Sequence, residues 1–296
     1  MPANNNLPVQ TFTKQYAKVL STVYDVKSYF TGAFAPIQSL DGITHNAKAF
    51  SVKTSGTPIV LGTYNKGENV AFGTGTGNSS RFGPRTEIIY ADNEVGYAYE
   101  ITAHEGIDRV TVNNDFNTAV VDRLKLRSEA QVRYMNQNNG KYMSESAGDS
   151  KNLKDYSDVA VKALFNKVNK HYVNKEVSAP VTAYITPDLY SAIIDNAATT
   201  TAKGSAVSID DNGLAKFKGF KLVEVPEQYF VDGEIAYFSP DSVFIPFVGI
   251  ATARTIEVEG FDGVALQLYG KGGQYILDDN KPAVVKVTLD DPIIGG

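Results

Sequence analysis

Hydrophobic and polar positions change their period several times along the chain. Between Ala49 and Ala103 they alternate: AFSVKT, TPIVLGTY and RTEIIYADNEVGYAYEITA mix β-branched and aromatic residues with charges, a pattern that predicts half-buried strands. From Asn117 the spacing becomes three or four, through Val121, Leu124, Val132, Met135 and Tyr142, with Ser128 and Asn139 interrupting the stripe. This predicts one long helix that packs on one side and carries Asp122, Arg123, Lys125, Arg127, Glu129 and Arg133 on its other faces. A second helix is predicted through Tyr156, Val159, Ala160, Ala163, Leu164 and Val168, ahead of Tyr172. Asp155 and Asp158 lie near its start, where negative charge suits the helix dipole. A short apolar strand, Val181 to Ile185, then runs into Thr186 as an N-cap with Pro187 at the first helical position. From Lys216 onward the period is again that of strands: FKGFKLVEV, GEIAYFSPDSVFI, ATARTIEVEG, GVALQLYGKGGQYIL and PAVVKVTL, divided by Gly, Pro and Asp turns.

Residues 1–50 carry Asn, Pro and Thr around one aromatic patch, YDVKSYFTGAF, and read as an extended arm. Its Tyr24, Tyr29, Phe30 and Phe34 need a surface to lie on, in the same subunit or in a neighbour. No linker separates the helical part from the later strands, so interleaved lobes of α+β class are expected.

Composition narrows the function classes. The 296 residues are 43% hydrophobic and 21% charged with a net charge of −5, so a large core is available and a dedicated nucleic-acid surface is not indicated. The absence of cysteine removes disulfides, thiolate nucleophiles and cysteine-bound zinc. Every apolar run is broken before it could cross a bilayer as a helix, and the N-terminus lacks the basic start and apolar run of a secretion signal. The 17 tyrosines suit surfaces that become buried against a partner, because the ring is apolar while its hydroxyl still finds a hydrogen bond.

Candidate chemistry is sparse. FGTGTGNSSRFGPR, Phe72 to Arg85, resembles a phosphate loop, but it has no lysine of the Walker pattern and is followed by a predicted strand rather than a helix. A hairpin tip whose glycines supply positive φ is the expectation there. His45, His104 and His171 lie in unrelated contexts without the spacing of a metal pair. AHEGIDR, with His104, Glu105, Asp108 and Arg109, could support acid–base chemistry but reads as a polar turn between hairpin and helix. Asp210–Gly213 and Asp278–Asn280 lack the alternation of a calcium loop and read as turns. Glu257 and Glu259 are expected on one solvated strand face. No catalytic, cofactor or metal residue is assigned, and the chain reads as a non-enzyme.

The order of parts, with HEGIDRVTVNNDFNTAVVDRLKLRSEAQVRYMN, AYITPDLYSAI, FKGFKLVEVPEQYF and IAYFSPDSVF, and a closing KPAVVKVTL, resembles the major capsid proteins of tailed bacteriophages, the Hong Kong 97-type fold. The resemblance implies an N-terminal arm at 1–50 and an extended loop at 51–104. It implies a peripheral domain of 105–176 with 251–281 and an axial domain of 177–250 with 282–296. It further implies pentamers and hexamers that close an icosahedral shell around packaged double-stranded DNA, in a virion assembled in a bacterial cytoplasm. Portal protein is implied as a partner, with DNA contact weak and non-specific and no membrane involved. Because the arm begins directly at Met1, a separate scaffolding protein is expected. Intersubunit contacts are expected at Lys66, Arg81, Arg85, Glu87, Tyr90, Tyr97, Tyr99, Arg123 and Arg127. Some relatives crosslink through a loop lysine, but nothing marks Lys66 as reactive. Two other classes share parts of the pattern: an encapsulin-type shell enclosing enzymes, and a secreted glycan-active or surface β protein.

Overall fold

The computed structural model describes residues 28–40, 48–57, 59–68, 70, 80–83, 85–112, 116–195, 207–210 and 213–290. The segment Phe72–Ser79 of the glycine run, Tyr24 and His45 lie outside them. The chain forms two units, Thr44–Tyr97 and the remainder.

The larger unit holds two sheets. The seven-stranded sheet has the order β5 (Asp149–Leu153), β13 (Val285–Leu289), β10 (Glu234–Pro240), β6 (Val181–Ile185), β9 (Phe220–Glu224), β8 (Gly213–Phe217), β7 (Val207–Asp210). β5 runs parallel to β13 and β6 parallel to β9, while the other pairs are antiparallel. Both central strands are covered on both faces, which is why AYI and EIAYFSP read as unbroken apolar runs rather than alternating ones. One face packs on helices α2 (Asp158–Asn174) and α3 (Pro187–Ile194) through Leu164, Phe165, Val168, Leu189 and Ile193. Phe165 meets Phe217 and Phe238 edge-on at 4.9 and 5.3 Å. The other face buries Tyr184 and Tyr237 against Met143 of α1 (Phe116–Ser146) and against Phe30, Ala33 and Phe34.

Local signals place these elements. Ser157 caps α2 by accepting from the Ala160 amide, and α3 begins at Pro187. Lys218 and Gly219 both have positive φ, 52° and 93°, so the hairpin between β8 and β9 turns through the two-residue geometry that matches strand twist.

The four-stranded sheet is β1 (Gln38–Ser39), β11 (Ile245–Glu257), β12 (Gly263–Tyr275), β4 (Tyr99–Asp108). The arm residues on it are not loose. Ser242 N donates to Gly32 O at 2.8 Å and Phe244 N to Ala33 O at 3.0 Å, and β1 pairs in parallel with Phe247 and Val248. Two aromatics of the described part of the patch find their surface in their own subunit: Phe30 and Phe34 are buried, with Phe34 stacked on Phe244 at 4.8 Å.

Several expectations are corrected. AHEGID is not a turn: it continues β4 to Asp108, paired residue by residue with β12, and only Arg109–Thr111 turns. The α1 stripe fails at its start, where Val121 is exposed; the buried face begins at Arg127 and Ser128 and includes Gln131, Asn136 and Asn139. Helix α2 buries Val161 rather than Val159. Glu257 ends β11, but Glu259 lies in the following turn, so the two do not share a strand face.

The smaller unit contains a two-stranded ribbon, β2 (Phe50–Thr54) against β3 (Ala91–Val95). The described residues of TPIVLGTY and Arg85–Tyr90 are not strands. Alternation alone does not make a strand; these segments have no described neighbour to complete a ladder.

Candidate assembly surface

The smaller unit ties its base with charge. Lys48 pairs with Glu94 and Lys53 with Asp92, while Asn93 Nδ2 donates to Thr54 Oγ1 at 2.7 Å. Farther out, Asn65 N donates to Arg81 O at 2.9 Å, Arg81 Nη1 donates back to Asn65 O at 3.2 Å, and Tyr64 meets Phe82 edge-on at 5.1 Å. Around this knot the apolar residues face solvent: Ile59 is 88% exposed, Leu61 92% and Phe82 83%, with Val60, Ile88, Ile89 and Tyr90 also exposed. Seven such exposed side chains in one small unit form an apolar surface larger than a lone soluble chain ordinarily shows.

Of the residues expected at contacts, Lys66, Arg85, Glu87 and Tyr90 are exposed in this unit, while Arg81 and Tyr97 are half-buried. The other three are engaged inside the larger unit. Tyr99 lies edge-on to Tyr134, and its hydroxyl donates to Met135 Sδ at 2.7 Å. Arg123 and Arg127 both grip Glu105 of β4. Arg123 donates to Oε1 from Nε at 3.1 Å and from Nη2 at 2.5 Å, and Arg127 donates to Oε2 from Nε at 3.2 Å and from Nη2 at 2.7 Å. Arg127 is buried and also donates to Leu266 O at 3.0 Å. Burial would raise the pKa of Glu105, but the hydrogen bonds and charges of the two arginines outweigh it and hold the carboxyl below its ordinary range. The same pairing raises Arg123.

Sequence reasoning grouped Glu105 with possible acid–base residues and missed this anchoring role. The available signal was the four-residue spacing of Arg123 and Arg127, which sets both on one helix face. A second anchor was also missed. Glu234, buried on β10, accepts from Ser144 of α1 at 2.8 Å, Lys286 of β13 at 2.7 Å and Tyr237 at 2.6 Å. Nothing in the one-dimensional pattern links these four. Among the described residues no group of His, Asp and Glu is placed to hold a metal ion. Asp278 instead pairs with Lys281 at 2.7 Å in a short 3₁₀ turn.

No protein-family model matches the chain, and no curated protein matches it. Solved structures do. The capsid structure of the cyanophage P-SCSP1u aligns with a TM-score of 0.64 at 10% identity, covering 86% of this chain and 87% of that one. The asymmetric unit of the bacteriophage PhiM1 mature capsid aligns with 0.64 at 8% identity, covering 90% and 88%. The holo-SrpI encapsulin complex from Synechococcus elongatus PCC 7942 aligns with 0.51 at 8% identity, covering 97% and 92%. The chain has the α+β fold of tailed-phage capsid proteins, the fold implied by its resemblance to the Hong Kong 97 type.

Proposed function

We propose that this chain is the major capsid protein of a tailed phage, many copies of which form pentamers and hexamers that close an icosahedral shell around double-stranded DNA. The likeness to two phage capsid structures over most of both chains supports the reading. The observation that carries it is the smaller unit, whose apolar residues face solvent in a lone chain. Laid across an adjacent copy they gain partners, and such head-to-tail contacts close into rings. The role is structural rather than enzymatic.

In this reading 1–50 is the arm and 51–104 the extended loop, with a peripheral domain of 105–176 and 251–281 and an axial domain of 177–250 and 282–296. Lys66, Arg81, Arg85, Glu87, Tyr90 and Tyr97 meet the next copy. Arg123, Arg127 and Tyr99, engaged within the larger unit, are the remaining expected contact residues. A scaffolding protein, a portal and weakly held DNA are the partners. Co-expression with candidate scaffold proteins, followed by negative-stain microscopy, should give uniform hollow polyhedra. A small monodisperse species under all such conditions would overturn the reading.

The encapsulin likeness favours one alternative, a shell that encloses enzymes. Specific retention of a cargo peptide by purified shells would favour it; shells filled only in the presence of packaging machinery and DNA would exclude it.

A further inference from the structure

One partly buried titratable cluster plays no part in the proposed function. The last turn of α2 presents two consecutive residues to the connector between β12 and β13. Tyr172 donates its hydroxyl to Ala283 O at 3.0 Å, and His171 Nε2 lies 2.8 Å from Pro282 O. The other ring nitrogen, Nδ1, lies 2.8 Å from Asp149 Oδ2 on β5, and the imidazole side chain is only 12% exposed. Lys151 Nζ donates to the same carboxylate oxygen at 2.5 Å.

A backbone carbonyl and an ionised carboxylate are acceptors only, and a neutral imidazole carries a single N–H. With an acceptor at hydrogen-bond distance from each ring nitrogen, the neutral ring leaves one lone pair facing another. The doubly protonated ring satisfies both. Asp149 keeps its negative charge in this setting: burial alone would raise it, but Lys151 and His171 hold its carboxyl below the usual range.

We propose that His171 is a proton-operated clasp that fastens the Leu277–Val284 connector to α2 and β5. The charged groups facing the ring are Asp149 and Lys151 from β5, while Tyr172 flanks it on α2 with ring centroids 5.6 Å apart. The connector contributes backbone carbonyls, and its own Lys281 and Asp278 pair with each other. The clasp is complete while the ring carries both protons and loses one bond when rising pH removes one. This connector is the covalent path from β12 in the four-stranded sheet to β13 in the seven-stranded one, so the clasp sets how firmly that joint is held.

Hydrogen exchange of the full chain, read on peptides covering 277–284 and corrected for intrinsic rates, tests it. Between about pH 5 and about pH 8, the span in which histidine changes charge, connector exchange should accelerate about tenfold beyond the correction. His171→Gln should exchange fast at every pH. Asp149→Asn discriminates further, because an asparagine amide can donate to a neutral Nδ1 while Nε2–H is kept for Pro282 O. That variant should stay protected on the alkaline side. A wild-type connector whose protection ignores pH, or an Asp149→Asn variant that loosens on alkalinisation as the wild type does, overturns the proposal. Where His171→Gln does not fold, long-range proton–nitrogen correlation of the wild-type ring decides. Two protonated nitrogens in mild acid support the clasp, and a single one refutes it.

Discussion

Glu105 shows how one side chain can tie a helix to a sheet. Its two oxygens are each forked by an arginine from α1, and Arg127 adds a bond to the β12 backbone. Arg127→Met keeps much of the aliphatic stem but leaves one carboxylate oxygen and the Leu266 carbonyl short of a donor. It should cost about 1–3 kcal/mol by urea denaturation. Acid gives a second handle. A carboxyl held below its ordinary range stabilises the fold fully above the unfolded value of about 4.3, and that contribution fades as pH falls through the lower folded value. The stability gap between wild type and Glu105→Gln should therefore be open at neutral pH and close in acid. A gap that widens in acid would contradict the pairing. Arg85, exposed in the smaller unit, makes the complementary case: Arg85→Glu should lower particle yield while leaving the subunit circular dichroism and melting unchanged.

Elements were legible in the sequence where their own residues decide them. Val181–Ile185, the Thr186–Pro187 start of α3 and the FKGF hairpin carry caps, proline and glycine that act within a few residues. The elements that escaped notice depend on distant partners. β5 is DSKNL, with no strand composition, and exists because β13 lies beside it in parallel. β1 is two residues held by β11. The α1 face could not be phased from its apolar residues, because its buried side is largely polar: Asn139 accepts from Gln274 at 2.9 Å, and Asn136 accepts from the Tyr29 amide at 3.3 Å. Nor did the pattern show why Gly140 sits in the middle of that helix. A Cβ there would fall 1.9 Å from Tyr229 O, so the helix crosses the 3₁₀ turn Glu227–Tyr229 with no room for a methyl. Gly140→Ala, which helix propensity alone would make favourable by about 1 kcal/mol, should instead destabilise by roughly 1–3 kcal/mol in thermal or urea melts.

At the scale of the whole molecule, the two units divide the labour. Among the described residues, the larger holds the four- and seven-stranded sheets and the large buried clusters, while the smaller carries exposed apolar residues outside its short ribbon. Replacing residues 59–90 by a short turn should leave the larger unit folded with its cooperative melt intact, yet abolish particles in co-expression. Loss of the melt itself would show that the loop is needed for folding rather than for association. The order of the seven-stranded sheet has one more effect. β13 lies between β5 and β10, so both neighbours leave the ribosome before the strand that joins them. Until it arrives, β5 has no ladder at all. The nascent subunit thus cannot close its main sheet until nearly the whole chain has been made.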